Sequence, residues 1–134
     1  MTRREAREQA FCILFEQAAG GDSIEDILIA AEEARDFSPG SYARKVVLGV
    51  EEHQSEIDTI IFQNIRGWAM SRLSKVTLAL LRLAIYEILY DDSIPAGVSI
   101  NEAVDIAKKY GGKDDAPYIN GVLATVVRDQ PDKQ

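Results

Sequence analysis

A single cysteine stands among 134 residues, so no internal disulfide can form. Cys12 reads as a small apolar filler rather than a nucleophile. One histidine is also too few for the paired Glu-x-x-His ligands of di-iron helical bundles, and one cysteine excludes zinc sites built on several thiolates. His53 and Glu56 are spaced i, i+3, but one histidine and one carboxylate on a polar face read as a solvated helix end. Glycine-rich phosphate loops are missing as well. Gly20-Gly21 and Gly111-Gly112 lack the Lys-Ser/Thr and the preceding strand that such a loop requires. Hydroxyl and thiol nucleophiles have no suitable histidine partner. No enzyme activity, metal or cofactor is expected.

Positive charge is in deficit. Fifteen Lys and Arg face 22 Asp and Glu, a net charge of -7. This excludes a protein that binds nucleic acid through indiscriminate basicity. Any such contact needs a local basic patch, and a basic protein partner fits the balance. Long apolar runs are lacking too. The most apolar, Val76 to Tyr90, is broken by Arg82 and Glu87 and falls short of the roughly 20 residues of a span. Arg3 and Arg4 could open a signal peptide, but Glu5, Glu8 and Glu16 interrupt or bound the apolar stretch, and no small-residue cleavage site follows. The expectation is a soluble cytoplasmic protein with no membrane partner.

Apolar residues make up 46% of the chain, which is globular rather than disordered. The length suits one domain that buries roughly two thirds of its unfolded surface. The periodicity is helical almost throughout. Thr2-Arg3-Arg4-Glu5 forms a capping box, Ala6, Ala10, Ile13, Leu14 and Gln17 follow on one face, and Gly20-Gly21 ends the helix. Ser23 opens a second helix with Ile24, Ile27, Leu28 and Ala31 inward. Ser38-Pro39 supplies a cap and a first-turn proline for a third, which carries Val46, Val47 and Val50. A fourth runs from Ser55 to Arg66 with Ile57, Ile60, Ile61 and Ile65 apolar, and Gly67 ends or bends it. Trp68 follows as a wedge between two half-bundles. Lys75 to Tyr90 is apolar nearly all round, as a helix enclosed by others would be. Asp91 to Gly97 reads as a loop. Ser99-Ile100-Asn101-Glu102 has capping-box spacing ahead of Ala103, Val104, Ile106 and Ala107, and Gly111-Gly112 breaks that helix. Asp114 or Asp115 caps the last one, with Ile119, Val122, Leu123 and Val126 inward. The tail from Gln130 is polar and expected to fray. No hairpin signal, fixed-period repeat or low-complexity tract interrupts this pattern. The fold class is all-α, about seven helices packed around the apolar one.

Two features carry chemistry. Arg3, Arg4 and Arg7 share a flank of the first helix with Phe11 and Phe15. Arginines beside aromatics form a reasonable RNA footprint, because guanidinium groups hold phosphates and unpaired bases stack. A solvated helix start, with both phenylalanines partly in the core, is the blander alternative and the simpler one on composition alone. Arg82, inside the apolar helix, needs a carboxylate partner, and Glu87 and Glu102 are the candidates. Tyr86, Tyr90 and Tyr118 read as core-edge residues.

Taken together, several segments resemble the NusB family of transcription antitermination factors. They are Arg3-Arg4-Glu5-Ala6-Arg7-Glu8 with Leu14-Phe15; Val47-Leu48-Gly49-Val50 with Ile57-Asp58; Leu81-Arg82-Leu83-Ala84 with Tyr86-Glu87; Ile94-Pro95; Ile100-Asn101-Glu102-Ala103-Val104 with Ala107-Lys108; and Tyr118-Ile119-Asn120-Gly121-Val122-Leu123. They occur in family order over nearly the whole chain. Some RNA methyltransferases carry a similar helical module ahead of a catalytic domain, and at 134 residues no such domain is expected here.

The resemblance implies one domain of two helical half-bundles, about 1–72 and 73–134. It implies joint binding of boxA RNA with NusE, a small-subunit ribosomal protein. The assembly joins the RNA polymerase elongation complex with other Nus factors, so that ribosomal RNA operons are read through. Arg3, Arg4 and Arg7 match the arginine-rich start that contacts RNA. Asp114 and Tyr118 match acidic and aromatic positions near the RNA. Phe15 matches an aromatic position on the partner side, and Thr77 falls where some members carry a carboxylate facing NusE. Glu5 interrupts an arginine run that is denser in some relatives, which motivates an alternative: a helical adaptor that binds NusE without significant RNA binding. Both a monomer and a homodimer are compatible with the sequence.

Overall fold

The computed structural model describes residues 2–35, 40–65 and 69–129, with nothing described of the side chains of Ala34 and Arg35. Ser38-Pro39, Gly67, Trp68 and the tail from Gln130 lie outside the described residues. Among those described there are seven α-helices and no strand: α1 (Arg3–Gly20), α2 (Ile24–Arg35), α3 (Ser41–Glu52), α4 (Gln54–Asn64), α5 (Lys75–Tyr90), α6 (Ala96–Tyr110) and α7 (Asp115–Arg128). A 3₁₀ turn, Met70–Arg72, precedes α5.

Local chemistry sets several of the helix ends. Thr2 and Glu5 form both halves of the capping box on α1, and Gly21, at φ 79°, closes that helix by donating its N–H to the Gln17 carbonyl. At the start of α2 the Ser23 hydroxyl accepts from Asp26 N at 3.1 Å, while Glu51 of α3 reaches across to accept from Ile24 N at 2.9 Å. Ser74 caps α5 by accepting from Thr77 N at 3.0 Å.

One expected start is displaced. Helix α6 begins at Ala96 with Pro95 as its N-cap, three residues before the Ser99 box. Proline has its φ pre-set near the helical value, and its carbonyl accepts from Val98 N and Ser99 N. Ser99 is therefore inside the helix and buried.

Helix α5 is the axis of the molecule. Every residue from Thr77 to Ile88 is buried, and α1, α3, α4, α6 and α7 all pack on it. Around it one apolar cluster is continuous from Ala10 and Leu14 through Leu80 and Ile85 to Leu123. Arg82 is held by neither expected acid. Its Nε and Nη2 each lie 2.9 Å from an oxygen of Asp58, a two-pronged pair that fastens α5 to α4. Cys12 is also corrected: it is exposed rather than a core filler, because Phe11, Ile13 and Leu14 occupy the buried stripe around it. His53 stacks on Tyr90 at 4.0 Å.

Gly49 of α3 meets Tyr86 of α5 so closely that a methyl group would overlap the ring. Gly49→Ala is expected to lower unfolding stability by about 1–2 kcal/mol, overpacking outweighing the gain in helix propensity. A urea unfolding midpoint at or above that of the parent would show that the ring moves aside freely.

Candidate nucleic-acid interface

The arginines at the start of α1 have three different fates. Arg7 is buried, at 4% exposure. It shares the i, i+4, i+7 stripe with Phe11 and Leu14, so helical geometry turns it inward rather than out beside Arg3 and Arg4. Its Nε lies 2.9 and 3.2 Å from the two oxygens of Glu87, and its Nη1 donates to Glu102 Oε1 at 3.2 Å. The expectation of a solvent-facing Arg7 is thus corrected. The side chain locks α1 to α5 and α6.

Glu87 is itself 1% exposed and accepts two further bonds, from the Tyr42 hydroxyl of α3 and from Ser99 Oγ at 2.9 Å. Four helices therefore converge on one carboxylate. Burial, and then its hydrogen bond to Glu87, push the Tyr42 hydroxyl well above the usual phenol range, so it stays a donor at physiological pH.

Arg3 and Arg4 remain at the surface above this network. The Arg3 guanidinium lies 3.7 Å from the centre of the Tyr42 ring, a cation–π arrangement. Arg4 is 55% exposed on its side chain and pairs with Glu102 and, at 2.8 Å, with Asp105. The Glu102 hydrogen bond is the main cause that raises its pKa. Glu102 thus uses one oxygen for Arg7 and the other for Arg4.

Further along the same seam, Glu8 of α1 accepts from Lys109 at 3.0 Å and from the Tyr110 hydroxyl at 3.1 Å. These contacts make α1 and α6 parallel neighbours. Asp114, beyond the end of α6, therefore sits at the far end of the seam from Arg4. Glu102 to Tyr110 alone spans about 12 Å of helix. The arginines are not gathered with Asp114 and Tyr118 into one cluster.

At that far end Asp114 is exposed, and as N-cap of α7 it makes no side-chain capping bond. Asp115 does the fastening instead: it accepts from Gly112 N at 2.9 Å, Thr77 Oγ1 at 3.1 Å and Ser74 Oγ at 3.4 Å. Thr77 is only 2% exposed, so it presents nothing to a partner. Its hydroxyl holds the start of α7 against α5. Tyr118 is half-buried in a cleft that Asn64, Ile65 and Val122 also line, and burial raises its pKa. Phe15 is 37% exposed, with its ring 6.0 Å from that of Phe11, which in turn lies 5.1 Å from Tyr110. Among the described residues no group of three or more His, Cys, Asp or Glu could hold a metal ion, and no helix is long and apolar enough to cross a membrane.

The model of the NusB family matches residues 4–128. The chain belongs to the NusB family. A transcription antitermination protein NusB from Listeria monocytogenes serotype 4b is 44% identical over 94% of this chain and 96% of its own. Among solved structures, T. maritima NusB superposes with a TM-score of 0.85 at 33% identity, covering 96% of this chain and 92% of that one. A crystal structure of antitermination factors NusB and NusE in complex with dsRNA gives 0.83 at 28% identity, covering 95% and 96%. This member of the antitermination-factor family is all-α among its described residues, and the family is not enzymatic.

Tyr42, Ser99, Glu102 and Asp105 were missing from the sequence-derived site. Only Glu102 carried a signal, as an acid seeking a buried arginine, and its partners are Arg7 and Arg4 instead of Arg82. Glu87→Gln would leave Arg7 buried against a single carboxylate. The expected loss is about 3 kcal/mol, read from denaturant unfolding. A change below about 1 kcal/mol would mean that the pair contributes little to the packing of α1 on α5.

Proposed function

We propose that this member of the NusB family binds boxA RNA jointly with NusE and carries that complex onto elongating RNA polymerase with other Nus factors, so that ribosomal RNA operons are read through. The observation that carries the proposal is the exposed pair Arg3 and Arg4 at one helix end. Arg3 is laid on an aromatic face, and Arg4 is presented above a buried network that fixes the helix carrying it. The likeness to a NusB solved together with NusE and dsRNA supports the same reading. Asp114 and Tyr118 form a second contact region at the far end of the seam, more than about 12 Å of helix away. Phe15 is the partner-facing aromatic. Arg7 and Thr77 serve by positioning the surfaces that others present.

A second reading, an adaptor that binds NusE without significant RNA affinity, is favoured by one observation: the cations along the α1–α6 seam already carry internal counter-charges. With a net charge of -7, the protein alone should bind RNA weakly. A basic partner would extend the positive surface and make binding cooperative and salt-sensitive.

Titration of boxA and scrambled RNA, with and without a NusE-type partner, separates the two. The first reading expects tighter boxA binding with the partner, lost on scrambling. Partner binding with no RNA preference would favour the second. Within the first, Arg4→Ala should weaken boxA binding by about three- to tenfold without altering the unfolding curve. Asp114→Asn should tighten it, because an exposed carboxylate beside phosphate is repulsive. Weaker binding would assign Asp114 a hydrogen bond to the RNA instead.

A further inference from the structure

Resting on the RNA-binding reading above, we infer that Asp105 sets the RNA affinity of this protein by competing with phosphate for Arg4. Arg4 Nη2 donates both to Glu102 and to Asp105, the latter at 2.8 Å. The two acids are not equivalent. Glu102 is 15% exposed on its side chain and divides its oxygens between Arg4 and the buried Arg7, so it belongs to the scaffold. Asp105 is 44% exposed, its hydrogen-bonding partner among the described residues is Arg4, and nothing buried depends on it. It is a removable counter-charge on an exposed cation.

A phosphate approaching Arg4 meets the Asp105 carboxylate already seated on the guanidinium. For the phosphate to gain a two-pronged grip, the Asp105 bond must break, and its carboxylate then stays within a few ångströms of the new anion. Glu102 keeps one guanidinium edge aimed outward throughout, because Arg7 holds its other oxygen. The seam is thus built in two layers. The inner acids orient the arginine, and the outer acid lowers its affinity for RNA. In an acidic protein this restrains indiscriminate phosphate binding and leaves the site responsive to a basic partner that draws Asp105 away.

The test is a double-mutant cycle on the full chain, with boxA RNA titrated at two salt concentrations in the presence of a NusE-type partner. Asp105→Asn should tighten RNA binding by about two- to fivefold, the range of an exposed ion pair. It should also steepen the dependence of affinity on salt, because no carboxylate recaptures a cation when RNA arrives. In the Arg4→Ala background the same change should have no effect. A gain that persists without Arg4 would mean direct repulsion between Asp105 and phosphate and would overturn the competition. Unchanged or weaker binding with Asp105→Asn, while Arg4→Ala still weakens it, would also overturn it and leave the RNA face intact. Arg4→Ala with no effect on RNA would overturn both readings together. Asp105 and Arg4 are exposed, so matching unfolding curves for all four proteins are expected. Unequal curves that track the affinities would reduce the effect to stability and overturn the inference.

Discussion

The Glu87 carboxylate is the point at which α1, α3, α5 and α6 are tied together. An ion taken out of water costs several kcal/mol even after the protein relaxes around it, and an opposite charge alone seldom compensates. Here the compensation is hydrogen bonding in full: both oxygens face Arg7, and Tyr42 and Ser99 donate as well. Such a network tolerates few arrangements, because any rotation of α1 that withdraws Arg7 strands two buried charges at once. What an apolar stripe leaves adjustable, the azimuth and register of α1 on α5, the ion pair fixes.

The exposed chemistry inherits that precision. Tyr42 reaches Glu87 through its hydroxyl and offers its ring to Arg3. Glu102 reaches Arg7 with one oxygen and holds Arg4 with the other. Arg3 is therefore one residue removed from the buried carboxylate and Arg4 two. The helix that carries them cannot shift without disturbing the core, so an incoming strand would meet guanidinium groups already oriented, with less freedom left to lose on binding.

Where the sequence was legible, the controlling physics was local. Capping at Thr2-Glu5, the left-handed glycine after α1, and the bounds of α5 depend on residues within four positions of each other, and each stands where the spacing predicts. The errors share the opposite character. Ser99 has the right spacing for a cap, but Pro95 starts the helix first, and the serine is needed by Glu87 twelve residues back. Arg82 seeks an acid, and helical periodicity cannot tell that Asp58 lies across from it whereas Glu87 and Glu102 lie across from Arg7. Thr77 sits at a position read as partner-facing, yet its hydroxyl is committed to Asp115. Pairing of polar groups over long sequence separations is a tertiary property, and a single chain read in one dimension carries only its list of candidates. Arg7 is the instructive exception. Its i+4 and i+7 neighbours are Phe11 and Leu14, so its inward direction was readable from the stripe alone.

Charge explains why an acidic protein can still offer a cationic face. Arg4, Arg7 and Lys109 are each matched by carboxylates within the fold, so the seam between α1 and α6 carries ordered positive groups with little net positive potential. Attraction of a polyanion from a distance depends on net local charge, whereas grip at contact depends on the geometry of individual donors. Separating the two makes contact strength conditional. A strand delivered or held by a basic partner finds donors in place, while a strand arriving alone meets a surface close to neutral. Under the proposed function selectivity lies in the assembly, and the fold's own contribution is to keep Arg3 and Arg4 fixed and only partly satisfied.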